Sequence, residues 1–121
     1  MRSHLKVIAH HILNRVGGSP QVNRYYTDDK QSWIDIFSAI DRPEKDWVTY
    51  ATIGLSQHSI QTYLPNHKEL RVELIGVAYA GQELFANILA SCAFNVIMKT
   101  HSCSPGIVYP NVCHNMIRRY P

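Results

Sequence analysis

Two short clusters near the C-terminal end hold the residue types that most often do chemistry. His101-x-Cys103 and Cys113-His114 together offer two thiols and two imidazoles, the donor set that zinc takes. Their spacing argues against a metal, because structural zinc sites usually pair cysteines with roughly two to four residues between them. Neither cluster holds such a pair. The same residues could serve a small hydrolase or transferase, with Cys103 or Cys113 as nucleophile and His101 or His114 as base, since such partners meet in space rather than in sequence. No nucleophile elbow and no strand–Gly–Cys context marks one. Cys92 falls on the apolar face of a helical pattern and reads as an inert core thiol.

The other candidates are weaker still. His58, in Gly54-Leu-Ser-Gln-His58-Ser59, sits between two strand-like runs and reads as a turn histidine bonded to local backbone. Arg71 and Glu73 alternate along one run, which places them on one sheet face as an exposed, ordinary pair. No two carboxylates have a spacing suited to acid–base work, and the scattered glycines form neither a Walker loop nor a dinucleotide fingerprint. Bases are spread along the chain rather than interleaved with aromatic residues, so nucleic acid is not an expected partner. The expectation is a protein with no catalytic set, no metal and no cofactor.

The elements that would position these residues are legible from periodicity. Leu5, Ile8, Ala9, Ile12, Leu13 and Val16 recur at helical spacing, with Ser3 as the expected N-cap and Gly17-Gly18 as the stop. Gln21 to Tyr26 then reads as a strand, Thr27-Asp28-Asp29-Lys30 as a turn, and Ser32 to Ile40 as a second strand. Asp41 to Asp46 is a polar loop. Trp47 to Gly76 holds three further strand-like runs, broken by Ser-Gln-His and Leu-Pro-Asn-His-Lys. Residues 81–100 form the strongest helical pattern: Leu84/Phe85, Ile88/Leu89, Cys92/Ala93 and Val96/Ile97 repeat along one face, and Ala86 and Ala90 keep a flank slim. Cys103 to Gly106 is a turn and Ile107 to Tyr109 a short strand, lying at a sheet edge or pairing with an early strand. The sum is an α+β fold with an N-terminal helix, an antiparallel β-meander of about five strands, one long amphipathic helix packed on the sheet, and a short C-terminal strand.

Composition bounds the function. A chain of 121 residues with 45% hydrophobic and 17% charged residues folds as one domain. It has no apolar run of the roughly 18 residues that a membrane helix needs, and no uninterrupted apolar segment suited to a secretory signal. Its three cysteines, an odd number, suit reduced thiols in cytoplasm. The net charge of +3 is unevenly placed: +4 over residues 1–27, −3 over residues 28–46, and +2 beyond. The acidic window, Asp28, Asp29, Asp35, Asp41, Glu44 and Asp46, is the one concentrated charge feature available for steering a partner.

Trp47-x-x-Tyr50-x-Thr52-Ile53-Gly54-Leu55-Ser56-x-His58-Ser59, followed by Leu70-Arg71-Val72-Glu73-Leu74-Ile75-Gly76, resembles the suppressor-of-fused-like domain. Asn87-Ile88-Leu89-Ala90-x-Cys92-Ala93-Phe94-Asn95 and the Cys103-x-Pro105-Gly106 turn resemble its bacterial branch. The likeness runs from about Gly17 to about Asn111. It implies a non-enzymatic α+β binding domain of the immunity-protein or antitoxin kind, which neutralises a nuclease-type protein toxin and uses no catalytic residue. Family members continue past the point matching Tyr120-Pro121, so the resemblance implies residues 1–121 as a single domain truncated at its C-terminal side. Such a toxin must be basic to hold phosphates, and its inhibitor gains by meeting it with acids. Asp28, Asp29, Trp33, Asp41, Glu44, Asp46 and Trp47 are therefore the expected partner-binding residues. A Cys/His enzyme and a structural remnant with no partner are the competing readings.

Overall fold

Alternation of side chains along two central strands organises the molecule. The computed structural model describes residues 2–98 apart from Ser59, Gln61, Thr62, Leu64, Glu69 and Glu83, and side chains from Leu5 onward. Helix α1 (Arg2–Val16) leads into strands β1 (Pro20–Tyr26), β2 (Trp33–Ile40) and β3 (Trp47–Ile53), a 3-10 turn at Leu55–Gln57, strand β4 (Ile75–Tyr79) and helix α2 (Phe85–Ile97). The strands form one antiparallel sheet in the order β1-β2-β3-β4.

Helix α1 starts ahead of Ser3, which lies inside its first turn rather than capping it. It ends where expected. Gly17 and Gly18 take φ of 77° and 82°, and the Gly17 amide donates to the Leu13 carbonyl at 2.7 Å, closing the last turn in the left-handed conformation that glycine tolerates.

The two helices lie on opposite faces of the sheet. Ile12 of α1 is buried with Phe37, Ala39, Ala51 and Ile53, and Leu5, Ile8, Leu13 and Val16 pack around them. On the other face Ile34, Ile36, Val48 and Tyr50 meet Ala86, Leu89, Ala90, Ala93 and Val96 of α2. With both faces covered, β3 is buried along almost its whole length.

Three expectations need correction. The sheet has four strands among the described residues, not five, and β4 begins at Ile75 rather than at Leu70. The reason is local. The Leu74 amide donates to the Thr52 hydroxyl (2.8 Å) instead of to a carbonyl, and Glu73 turns inward, so regular pairing stops there. Ile60, from the run expected as a fifth strand, is buried in the α2-side core. Helix α2 is shorter than residues 81–100, and its contact face is rotated from the expected one: Ala86, Leu89, Ala90, Ala93 and Val96 are buried, while Ile88 and Cys92 are only half-buried. The alanines thus share the contact surface with Leu89 and Val96, and their small side chains let the helix axis approach the sheet. The Cys103–Gly106 turn and the Ile107–Tyr109 strand lie outside the described residues.

Candidate functional site

The acidic window does not fold into one patch. In a meander, successive connections lie at opposite ends of the sheet, and β2, with eight residues, separates them by about 25 Å. Asp28 and Asp29 lie at one end, on the β1–β2 turn, with Trp33 at the start of β2. Asp41, Glu44 and Asp46 lie at the other, on the β2–β3 loop, with Trp47 at the start of β3.

At the turn end Asp29 and Asp35 are engaged locally. The Asp29 carboxylate accepts from the Thr27 hydroxyl at 2.6 Å and from the Gln31 amide at 2.9 Å. The Thr27 hydrogen bond, followed by that of Gln31, holds the Asp29 carboxyl below the usual carboxylate range. Arg24 and Asp35 face each other across the β1–β2 ladder and form a two-pronged pair (Nε to Oδ1 2.8 Å, Nη2 to Oδ2 3.2 Å). The same guanidinium lies 3.8 Å from the centre of the Trp33 ring. Trp33 is therefore partly covered from within its own sheet. A depression of about 190 Å³ adjoins it, between Leu5, Ile53, His58 and Ile97.

The loop end is built differently. Asp41 and Asp46 both take left-handed backbone (φ 59° and 70°), and the Asp41 carboxylate accepts from the Asp46 amide at 2.9 Å, folding the loop back on itself. All six loop residues are exposed. Arg42 is turned over Gly17 and Gly18, where its guanidinium lies 3.7 Å from the position a Gly17 Cβ would occupy. Among the described residues Asp41, Glu44 and Asp46 make no ion pair; the one found is Arg24–Asp35. Trp47 stacks on Tyr79, directly opposite in the β3–β4 ladder, with ring centres 3.9 Å apart and planes inclined by 26°.

Beside that stack lies a feature that sequence reasoning missed. Ile75, Val77 and Tyr79 of β4 point to the α1 side of the sheet, but the α1 cluster draws on β2 and β3, and these three side chains are 64%, 42% and 58% exposed. Their neighbours Gly76 and Ala78 face α2 instead. A Cβ on Gly76 would lie 2.6 Å from Cζ of Phe85, so the ring occupies the space a side chain would need. Small-in, large-out alternation inverts the usual pattern, and the run Ile-Gly-Val-Ala-Tyr was its signal.

Glu73 was also misread. Its carboxylate is not an exposed partner of a neighbouring base; it caps the 3-10 turn. Oε1 accepts from the Thr52 hydroxyl (2.8 Å) and the Leu55 amide (3.0 Å), and Oε2 from the amides of Gly54 (3.2 Å) and Ser56 (3.0 Å) and from the Ser56 hydroxyl. Arg71 takes the opposite side of the same turn, donating to the carbonyls of Gln57 (2.8 Å) and Ser56 (3.3 Å). His58 follows, its backbone amide donating to the Leu55 carbonyl at 2.9 Å.

His101, Cys103, Cys113 and His114 lie outside the described residues. Among the described residues no three His, Cys, Asp or Glu side chains gather as metal ligands would, and no helix is long and apolar enough to cross a membrane.

The class to which this antiparallel sheet between two helices belongs follows from its sequence match. Residues 30–117 match the family model of the suppressor of fused protein, and the chain belongs to that family. It is 42% identical over 107 residues to "Immunity protein YqcF" of Bacillus subtilis (strain 168), an alignment covering 88% of this chain and 55% of that protein. The chain thus spans little more than half the length of that relative. No solved structure matches it.

Proposed function

We propose that this chain is an immunity protein, which binds a cognate protein toxin of the nuclease type and neutralises it by covering its active surface. The observation that carries the reading is the 42% identity to an immunity protein over 88% of the chain. The chemistry of the surface is compatible with it. A nuclease holds phosphates with lysine and arginine, and a protein that presents exposed carboxylates beside aromatic side chains meets such a surface with both charge and area. No cofactor is needed for occlusion, and the action is cytoplasmic, where the toxin would otherwise reach its substrate.

The test is co-expression. A toxin reading frame beside the gene should arrest growth when expressed alone, and the full chain should restore growth and co-purify with the toxin. Protection without a stable complex would refute occlusion. The Cys/His enzyme reading makes a different demand, since it needs its thiols. Replacing Cys103 and Cys113 together by serine should leave protection unchanged, and a large loss would favour the enzyme.

A further inference from the structure

The functional reading names a partner class but not the surface that meets it, and the two ends of the acidic window cannot both lie at the centre of one small interface. We infer that the toxin docks on the β4 side of the loop end, with Ile75, Val77, Tyr79 and Trp47 as the apolar centre and Asp41, Glu44 and Asp46 as the charged rim. This rests on the proposed immunity function and goes beyond it by choosing one face.

Three observations separate this end from the other. The first is apolar continuity. Ile75, Val77 and Tyr79 occupy alternate positions of one strand, so they stand on one face, and Tyr79 extends the row onto Trp47 through their stack. Exposed apolar side chains scattered singly need no explanation, but a contiguous row ending in a stacked aromatic pair does.

The second is the edge that β4 forms among the described residues. Bonds from the Ala80 amide to the Asp46 carbonyl and from the Thr52 amide to the Leu74 carbonyl set the ladder's alternation. Residues 76 and 78 therefore bond inward to β3, and the backbone groups of Ile75, Val77 and Tyr79 face away from it. This strand, Ile-Gly-Val-Ala-Tyr, carries none of the lysines, prolines or inward charges by which edge strands are usually protected.

The third is charge. The loop beside the row carries three carboxylates that make no ion pair among the described residues, and Arg42 is turned away over Gly17 and Gly18, leaving Lys45 as the opposing charge. At the turn end Asp35 is paired with Arg24 and Asp29 is held by Thr27 and Gln31. That leaves Asp28 and Asp29 without an ion pair there among the described residues, against three carboxylates in the one loop. The rim therefore selects a partner with lysine or arginine around an apolar patch. A second copy would instead bring an uncharged strand to these acids.

The experiment compares two double variants of the full chain with the unaltered protein. Val77→Lys/Tyr79→Ala alters the row. Val22→Ser/Tyr26→Ser alters exposed apolar residues of the opposite edge strand, which are 52% and 53% exposed. Binding to the purified toxin is followed by surface plasmon resonance, with circular dichroism and melting curves as a check on folding. The first variant should bind at least 100-fold more weakly and the second within threefold of the unaltered protein. Asp41→Asn/Glu44→Gln/Asp46→Asn keeps a side-chain oxygen at position 41 to accept the loop hydrogen bond. It should slow association about tenfold at low salt and flatten its salt dependence. Retained binding by a folded Val77→Lys/Tyr79→Ala protein overturns the surface and leaves the immunity reading standing. Absence of binding by the unaltered protein overturns both. A toxin-free dimer that the first variant splits would assign the row to a second copy and overturn the docking inference.

Discussion

Gly76 and Phe85 share one space, and adding a single methyl group there should measure how tightly α2 is seated on the sheet. A Cβ at residue 76 would lie 2.6 Å from Cζ and 2.8 Å from Cε2 of Phe85, about 1 Å inside ordinary carbon–carbon contact. The ring cannot simply swing away, because it packs against Tyr50 with centroids 5.3 Å apart. Gly76 does not have a positive φ, so the penalty is steric and not conformational. Overpacking of this kind costs about 1–3 kcal/mol, and replacing glycine in a strand returns about 0.5–1 kcal/mol through the unfolded chain. Gly76→Ala should therefore destabilise by up to about 2.5 kcal/mol, with about 1 kcal/mol the central expectation. Phe85→Leu removes the atoms that clash, so the double variant should be no less stable than Phe85→Leu alone, with a coupling of at least about 1 kcal/mol. Urea denaturation of the four proteins, read as midpoint and slope, supplies the cycle. Additivity within about 0.5 kcal/mol would show that ring and glycine do not share that space, and the explanation of the inverted β4 pattern would fall with it.

Leu89, 7% exposed between α2 and the sheet, should cost about 2–5 kcal/mol when changed to alanine, and a loss below about 1 kcal/mol would contradict its packing. Glu73→Gln places an amide NH2 where one carboxylate oxygen meets three donors, and should cost about 1–3 kcal/mol by chemical denaturation; an unchanged midpoint would refute the capping role. Burial pushes the Tyr25 hydroxyl above the ordinary tyrosine range. The native state thus favours neutral Tyr25, so its contribution is complete below the ordinary tyrosine pKa and is lost as pH rises through the raised native value. Ultraviolet absorbance of the tyrosinate band should show a late-titrating tyrosine that disappears in Tyr25→Phe.

The elements with strong periodicity were readable in advance. The 3.6-residue recurrence of Leu5 to Val16, closed by two glycines, located α1 within a residue or two, and the turn chemistry of Thr27 to Lys30 located the first hairpin. What failed was the part where side chains, not backbone pattern, decide the outcome. Leu70 to Leu74 has strand composition, but Glu73 is drawn to five backbone and hydroxyl donors and the Leu74 amide to a hydroxyl, so the ladder starts later. On α2 Leu89, Ala93 and Val96 hold the contact face as expected, but Ala86 and Ala90 join them there in place of Ile88 and Cys92. The candidate surface was legible in half. Asp41 to Trp47 stood out by charge, but Tyr79 joins it only through the ladder, which no spacing in the sequence announces.

The two cores share β2 and β3, and they are unequal. On one face five residues of α2 are buried, whereas among the described side chains of α1 Ile12 alone reaches that depth. Local opening free energy follows buried apolar contact. In native-state hydrogen exchange, α1 should then behave as a separate cooperative unit, its amides exchanging through a partial opening while those of β2, β3 and α2 wait for global unfolding. Such an opened form would bare Phe37 and Ala51, a second apolar face on the same side of the sheet as Ile75, Val77 and Tyr79.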